Sequence, residues 1–338
     1  DDNTFPVTSN NRNIGQLMTL SIEDATRFAQ VFKGLVDGVS VAVLDKRQAV
    51  RLALTTMFAG GHLLLEDAPG TGKTALARAI SAVIDGTHSR IQFTPDLLPS
   101  DITGVNMFNQ KTGEWVFHAG PVFAEIVLAD EINRASPKTQ SALLEVMEEA
   151  QVTVDGVRRP APQPFMVIAT QNPVEQAGTY PLPEAQLDRF LMKTSIGYPS
   201  RSAMIDVLDG SASPDRSKNL KPLLSGKDIV AWAALASANH TDRAVLDYVA
   251  ALAEATREDE SSLLGVSTRG AIGMVRCARV WAAAQGRNFV LPDDIKALAV
   301  PVWSHRIIVD PDAAFSGATS EGVIQRALTS VPAPAVGA

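Results

Sequence analysis

Two glycines, a lysine and a threonine stand between an apolar run and a helical pattern in the segment HLLLEDAPGTGKTALARAI (62–80). Gly70 and Gly72 allow the backbone to curl so that its amide groups point at phosphate oxygens, and the following helix adds the positive end of its dipole. In such a loop Lys73 reaches the β- and γ-phosphates, and the Thr74 hydroxyl is a Mg²⁺ ligand. The predicted nucleotide-binding residues are Asp67, Ala68, Pro69, Gly70, Thr71, Gly72, Lys73, Thr74 and Ala75.

One position of this loop departs from the strict form of the motif, which has a glycine where this chain has Asp67. Both glycines nearest the phosphates are present, so we expect the loop to bind nucleotide. The alternative is a chance match in a helix-capping turn. The motif demands a strand before it and a helix after it, and the sequence on both sides predicts these elements.

An acidic pair follows an apolar strand in the segment EIVLADEINRA (125–135). Ligands of open α/β sheets bind at the carboxyl ends of the strands, which is where Asp130 and Glu131 stand. Asp130 can hold Mg²⁺ through water, and Glu131 can take a proton from an attacking water. A solvated helix-capping pair is the alternative interpretation.

A third strand pattern, MVIATQNP (166–173), ends in the polar residues Thr170, Gln171 and Asn172. A side-chain amide at this place can orient the water between Glu131 and a γ-phosphate. Polar strand ends are common, so this interpretation depends on the order of the three segments along the chain. That order is phosphate loop, acidic strand end and polar strand end.

The elements that must position these residues alternate between strand and helix, which indicates a parallel sheet covered by helices. The predicted strands cover 62–65, 89–93, 124–129, 165–170 and 191–196. Helical patterns follow at about 226–238, 242–256, 268–285 and 292–300. We therefore expect a flexible tail at 1–20, an α/β nucleotide-binding domain at 21–199 and a helical domain at 200–338.

Composition sets further bounds on the function of the 338-residue chain. Hydrophobic residues make up 46% and charged residues 20%, which is typical of a globular protein. The net charge of −7 argues against a nucleic-acid-binding surface. Cys277 is the single cysteine, so neither an intrachain disulfide nor a cysteine metal cluster is expected. Apolar runs of about 18 residues and a signal-peptide pattern are both missing, so we expect a cytoplasmic protein that does not insert into membranes.

The three segments together resemble the AAA+ ATPases, and the sequence between them resembles the MoxR-type subgroup of that family. The matching segments include FTPDLLPSDITG (93–104), WVFHAGPVFAEIVLADEINRASPKTQSALLEVMEE (115–149) and GTYPLPEAQLDRFLMK (178–193). The resemblance implies a P-loop AAA+ parallel sheet flanked by helices and followed by a smaller, all-helical lid domain. It also implies ATP and Mg²⁺ as cofactors and a homo-oligomeric ring, for which we expect a hexamer.

The resemblance also implies a role for individual residues. The Walker A and Walker B residues would be Lys73, Thr74, Asp130 and Glu131, with Thr74 and Asp130 at the metal. Asn172 would be the sensor-1 residue and Arg189 the arginine finger. Arg269, in GVSTRGA (265–271), matches the sensor-2 position of the lid. Whether Arg269 acts on its own subunit's nucleotide or on a neighbour's stays open.

Family members carry an inserted β-hairpin that here would fall between about residues 101 and 120, and a second hairpin that matches 152–164. Trp115 and Phe117 share one face of the first hairpin, where they form either its core or a patch for a partner protein. Near the adenine, family members show Gly-Gln where this chain has Asp45-Lys46, and this departure leaves the contacts to the base open.

The hypothesis that follows is an ATP-hydrolysing motor that remodels a client protein complex or assists cofactor or metal insertion, with a partner carrying a von Willebrand factor A-type domain. The ATPase subunit of a magnesium chelatase is the nearest alternative. An ATP-dependent switch with little turnover is another, although Glu131 argues against it because a pure binder needs no base. A GTPase is disfavoured because no Asn-Lys-x-Asp guanine motif occurs, and the acidic balance weighs against a DNA helicase or clamp loader.

Overall fold

A computed structural model of the chain describes residues 19–67, 70–172, 178–209 and 216–335, without the side chains of 206 and 207. The helices of the first part are α1 (Ile22–Ala42), α2 (Arg47–Phe58), α3 (Lys73–Val83), α4 (Pro99–Thr103), α5 (Pro137–Glu149) and α6 (Glu184–Leu187). Its strands are β1 (Leu63–Glu66), β2 (His88–Gln92), β3 (Gly104–Asn109), β4 (Glu114–Ala119), β5 (Ile126–Asp130), β6 (Gln151–Val154), β7 (Val157–Pro160), β8 (Met166–Gln171) and β9 (Met192–Thr194).

The second part of the chain is mainly helical. Its elements are α7 (Arg201–Leu208), α8 (Gly226–Ser237), α9 (Arg243–Glu258), β10 (Ser262–Leu264), α10 (Thr268–Ala283), α11 (Pro292–Trp303), β11 (Ile308–Val309), α12 (Pro311–Phe315) and α13 (Ser320–Ser330). None of the helices in the described ranges is long and apolar enough to cross a membrane.

Five strands form a parallel sheet in the order β2–β5–β8–β1–β9. Side chains of a strand alternate between the two faces. Leu63 and Leu65 therefore enter the core beside α1 and α3, whereas Leu64 enters the core beside α5. Burial on both faces explains why these strands are uniformly apolar. The predicted fold class is confirmed.

The N-terminal helices join the sheet to the helical part. Ser21 caps α1, because its hydroxyl oxygen accepts the N–H of Asp24 at 3.0 Å. The Phe28 ring of α1 lies 5.0 Å from that of Phe58 on α2 and 5.9 Å from that of Trp232 on α8. One hydrophobic core thus continues from the sheet through α1 and α2 into the lid.

The lid contains one feature that the helical patterns did not predict. β10 and β11 pair as a short antiparallel ribbon, so the domain expected to be all-helical carries a small β element. Strands of two or three residues are too short to show a period of two in sequence, because such a period needs at least about four residues to be visible.

Both predicted hairpins are present. β3 pairs with β4, and β6 pairs with β7 across the turn Asp155-Gly156, where both residues have positive φ. The Arg159 guanidinium lies 3.8 Å from the centre of the Phe117 ring, so Phe117 is packed between the hairpins. Trp115 is 70% exposed beside Phe108. Of the two interpretations, core packing therefore fits Phe117, and a surface patch fits Trp115.

Candidate nucleotide-binding site

The phosphate loop follows β1 and runs directly into α3. Gly70 and Gly72 have φ values of 83° and 96°, which L side chains rarely adopt and which explain the glycines. The Lys73 ammonium donates to the backbone carbonyl of Asp67 at 3.3 Å. Thr74 and Ala75 lie in the first turn of α3, beside the positive end of the helix dipole. Ala68 and Pro69 lie outside the described residues.

Asp67 explains the departure from the strict motif. Its buried carboxylate accepts the backbone N–H groups of Ile196 at 2.6 Å and of Gly197 at 2.8 Å. The side chain predicted to bind nucleotide therefore faces the segment after β9, and only the Asp67 backbone belongs to the loop. Two charge-assisted hydrogen bonds satisfy the buried carboxylate, and a glycine at this position could not make them.

The acidic pair stands at the carboxyl end of β5, as predicted. Asp130 accepts a hydrogen bond of 2.6 Å from the Thr170 hydroxyl and one of 2.6 Å from the Arg90 guanidinium. The Thr170 oxygen also accepts the backbone N–H of Glu131 at 2.9 Å. Glu131 itself has a φ of 57°. Thr170, at the end of the neighbouring strand, therefore positions both acidic residues.

The carboxylate of Glu131 has partners that the sequence analysis missed. Gln92 donates to it at 2.8 Å and Arg134 at 3.1 Å. Arg90 and Gln92 are two positions apart on β2, the edge strand that pairs with β5. Their side chains therefore lie on the same face of the sheet, where they contact the acidic pair. Two polar residues spaced by two at the end of a predicted strand were the signal that could have identified them.

Asn172 is the first residue after β8, whose end lies between the phosphate loop and the acidic pair. β8 lies between β1 and β5, and neighbouring strands are about 4.8 Å apart. The end of β8 is therefore one strand away from the phosphate loop on one side and from Asp130 on the other. Asn172, the residue after β8, therefore follows a strand end that lies between those of β1 and β5.

Arg189 and Arg269 lie apart from the phosphate loop and the acidic pair. Both guanidinium groups contact the carboxylate of Glu148, Arg189 at 2.9 Å and Arg269 at 2.5 Å. The hydrogen bond from Arg269, with the charge of Arg189, holds the pKa of the Glu148 carboxyl below its ordinary value. The structure thus brings the two predicted arginines together at one side chain.

These residues line a cavity of about 230 Å³ that also contacts Gly60, Gly61 and His62. Those three residues immediately precede β1, whereas the phosphate loop follows it. The arginines therefore lie at the amino edge of the sheet and Lys73 at its carboxyl edge. β1 alone spans about 13 Å, so Arg189 and Arg269 are not gathered around the phosphate loop of the same chain.

The lid holds the segment that carries Arg189. The buried guanidinium of Arg306 donates to the Asp188 carboxylate at 2.7 Å and to the carbonyl of Phe190 at 2.8 Å. The ring of His305 also contacts the Phe190 carbonyl, at 2.9 Å. The position of Arg189 therefore depends on the lid of its own chain.

The residues at the expected adenine position contact the segment that follows β9. The Lys46 ammonium donates to the backbone carbonyl of Tyr198, two residues after the Ile196 N–H that Asp67 binds. Lys46, the phosphate loop and residues 196–198 therefore meet at one place, where a base attached to loop-bound phosphates could lie.

Comparisons with known proteins agree with this arrangement. Residues 62–192 match the "ATPase family associated with various cellular activities (AAA)", and residues 254–327 match the AAA lid domain. The chain is 45% identical to the protein YeaC of Bacillus subtilis over 88% of its own length and 93% of that protein. It is 40% identical to Chaperone MoxR1 of Mycobacterium tuberculosis over 88% of its length and 80% of that protein.

A solved structure has the same fold. The crystal structure of a candidate ATPase from Cytophaga hutchinsonii superposes with a TM-score of 0.85, is 36% identical in sequence, and covers 93% of this chain and 98% of its own. The phosphate loop and the acidic strand end lie within the AAA match, and α10 and α11 lie within the lid match. The chain is therefore a nucleotide-binding ATPase that belongs to the MoxR-type branch of the AAA+ family.

Proposed function

We propose that this ATPase works as a homo-oligomeric ring, most simply a hexamer, in which Arg189 and Arg269 of one subunit serve the nucleotide of the next. One observation carries the proposal. The two arginines stand together at the edge of the sheet opposite the phosphate loop. An arginine supplied across an interface accelerates related phosphoryl transfers by about 10³–10⁵, so each site would be incomplete without its neighbour.

The remaining chemistry is assigned to residues at the carboxyl edge of the sheet. Lys73 and the loop backbone would bind the phosphates of ATP. Asp130 and the Thr74 hydroxyl would supply the oxygen ligands that Mg²⁺ prefers beside phosphates, and the ion's chemistry would be to neutralise phosphate charge. Glu131 would accept a proton from the attacking water, and Asn172 would orient that water. Arg189 and Arg269 of the neighbour would stabilise charge developing on the γ-phosphate.

The hairpins are the proposed contact for a client protein complex or for a partner with a von Willebrand factor A-type domain. Trp115 is 70% exposed, and Met107 and Phe108 are each more than half exposed. Exposed apolar clusters of this kind mark protein-binding surfaces. The name of the relative Chaperone MoxR1 supports remodelling of client proteins, and cofactor or metal insertion is one form that such remodelling could take.

Mixing two inactive variants tests the ring. Arg189→Ala subunits keep a complete pocket but offer their neighbour no finger, whereas Glu131→Gln subunits keep the finger but lack the base. Each variant alone should hydrolyse ATP slowly, and a mixture under conditions of subunit exchange should recover part of the activity. A mixture of Lys73→Ala and Glu131→Gln is the matched control, because neither of its subunits has a competent pocket. Demonstrated exchange without recovery would refute the proposal.

A further inference from the structure

Glu148 lies in the last turn of α5, and each of its two carboxylate oxygens contacts a different arginine. Oε2 pairs with Arg189 at 2.9 Å, and Oε1 pairs with Arg269 at 2.5 Å. The three side chains are between 28% and 51% exposed, so solvent and ligands can reach them. One carboxylate therefore holds two guanidinium groups from different domains in a single cluster.

Two further arginines line the same cavity, but they are held differently. Arg276 donates to the backbone carbonyls of Ala59 and Gly60. Arg306 donates to the Asp188 carboxylate and to backbone carbonyls. Backbone carbonyls thus hold both Arg276 and Arg306, the latter together with Asp188. Arg189 and Arg269 instead share the carboxylate of Glu148.

A carboxylate and a phosphate present the same kind of ligand to arginine. Each offers at least two oxygens that share negative charge and accept charge-assisted hydrogen bonds. Two guanidinium groups that converge on the oxygens of Glu148 are therefore already paired and oriented for an oxyanion. An incoming polyphosphate has to compete with Glu148 for them, and it carries more negative charge than a carboxylate.

We propose that Glu148 is a positioning residue that holds Arg189 and Arg269 as a pair in the unassembled subunit and competes for them with the terminal phosphate of a neighbour's nucleotide. The proposal rests on the proposed function, because it takes these arginines to act across an interface. Glu148 would keep them ordered before assembly and would release them only to a strongly charged anion. An empty neighbouring pocket would leave them on Glu148.

The size of the effect follows from the exposure of the pairs. Partly exposed ion pairs contribute about 0.2–1 kcal/mol each. The two pairs together amount to about 0.4–2 kcal/mol. Values near the middle of that range correspond to anion binding by the arginines that is about three- to tenfold tighter once the Glu148 charge is removed, because a tenfold change corresponds to about 1.4 kcal/mol. A carboxylate that only stabilised the fold would leave anion binding unchanged.

The test uses the full chain with Lys73→Ala, which weakens the phosphate loop, and inorganic tripolyphosphate as the probe. Titration calorimetry should show binding about three- to tenfold tighter when Glu148→Gln is added. Glu149→Gln is the matched control, because Glu149 is the adjacent, exposed glutamate of the same helix, and it should leave the affinity unchanged. Adding Arg189→Ala and Arg269→Ala to the Glu148→Gln protein should abolish the gain.

An unchanged or weaker tripolyphosphate affinity in the Glu148→Gln protein, with an unaltered melting temperature, would overturn the proposal. Sedimentation velocity provides a second measurement, of assembly. Subunits with the single substitution Glu148→Gln should form ATP-dependent rings at lower protein concentration than wild-type subunits. Subunit mixing keeps the two proposals distinct. Recovery of activity by mixing without any anion effect of Glu148→Gln refutes only the role of Glu148. The reverse result refutes the ring and, with it, a neighbour's nucleotide as the competing anion.

Discussion

The carboxylate of Asp67 accepts the backbone N–H of Gly197 at 2.8 Å. This bond joins the first residue of the phosphate loop to the segment that leads from β9 into the helical domain. The other carboxylate oxygen of Asp67 accepts a second bond to the same segment, from the N–H of Ile196 at 2.6 Å. The loop and the start of the lid are therefore mechanically linked through a residue where the strict motif has glycine.

Asp67→Gly restores the strict motif and removes this link. Hydrogen bonds to charged groups contribute about 1.5–3 kcal/mol each, so we expect the loss of both bonds to lower the free energy of unfolding by about 3–6 kcal/mol. Urea unfolding measures the change, and Asp67→Asn, which keeps one acceptor oxygen, should show a smaller loss. If Asp67→Gly unfolds at the wild-type urea concentration, the link does not stabilise the fold.

Glu131→Gln should separate hydrolysis from binding. The variant keeps the shape of the side chain but cannot accept a proton, so steady-state ATP hydrolysis should fall by about 10²–10⁴. Binding of a fluorescent ATP analogue should persist. Lys73→Ala should weaken that binding itself, because it removes the charge nearest the phosphates. Hydrolysis at the wild-type rate by Glu131→Gln would exclude this residue as the base.

Thr170→Val tests the residue that positions both acidic side chains. The valine has a similar shape but cannot donate to Asp130 or accept from the N–H of Glu131. Loss of a partner that orients metal-site ligands typically reduces activity about 10- to 100-fold, and we expect a decrease in kcat of that size. Thr170→Ser keeps the hydroxyl and is the control. Equal kcat values for the two variants would contradict the assignment.

The hairpin formed by β3 and β4 should serve partner contact and not hydrolysis. Deleting residues 109–113 at its tip should leave basal ATPase activity largely intact and weaken binding of the proposed von Willebrand factor A-type partner. Trp115→Ser tests the exposed patch more locally. Phe315→Ser is its matched control, because Phe315 is a 96% exposed aromatic residue on the lid. An unaltered partner affinity in calorimetry for both hairpin variants would remove the hairpin from the interface.

His62 should make the fold sensitive to acid. Its Nδ1 accepts the N–H of Val167, its Nε2 donates to the carbonyl of Met147, and burial lowers its pKa to about 4. The unfolded chain, with a histidine pKa of about 6.5, binds the proton more readily. Stability from this group is therefore complete above about pH 6.5 and decreases as the pH falls towards 4, by up to about 3 kcal/mol.

Urea unfolding at pH 7.5 and pH 4.5 measures this loss. His62→Gln, which cannot be protonated, should be less stable than the wild type at pH 7.5 but should lose less stability on acidification. His305, which is also buried and has a lowered pKa, leaves part of the pH dependence in place. An identical pH dependence for the wild type and His62→Gln would show that His62 does not titrate on unfolding.

Local sequence determined much of this protein. The Ser21 cap, the glycines and lysine that open α3, the apolar runs of the sheet and the Asp155-Gly156 turn all depend on residues within a few positions of one another. Their signals survive in sequence because backbone conformation and side-chain period are local properties. The order of the phosphate loop, acidic strand end and polar strand end likewise determined the nucleotide-binding fold.

Only the tertiary structure decided which side chains meet. Asp67 and Ile196 are 129 positions apart, Arg90 and Asp130 are 40 apart, and Glu148 and Arg269 are 121 apart. Such pairs depend on strand order and on the docking of the lid, which no spacing along the chain records. For the same reason the sequence predicted roles for Arg189 and Arg269 but not their contact with each other's partner. In the folded chain both pair with the carboxylate of Glu148, at the edge of the sheet away from the phosphate loop.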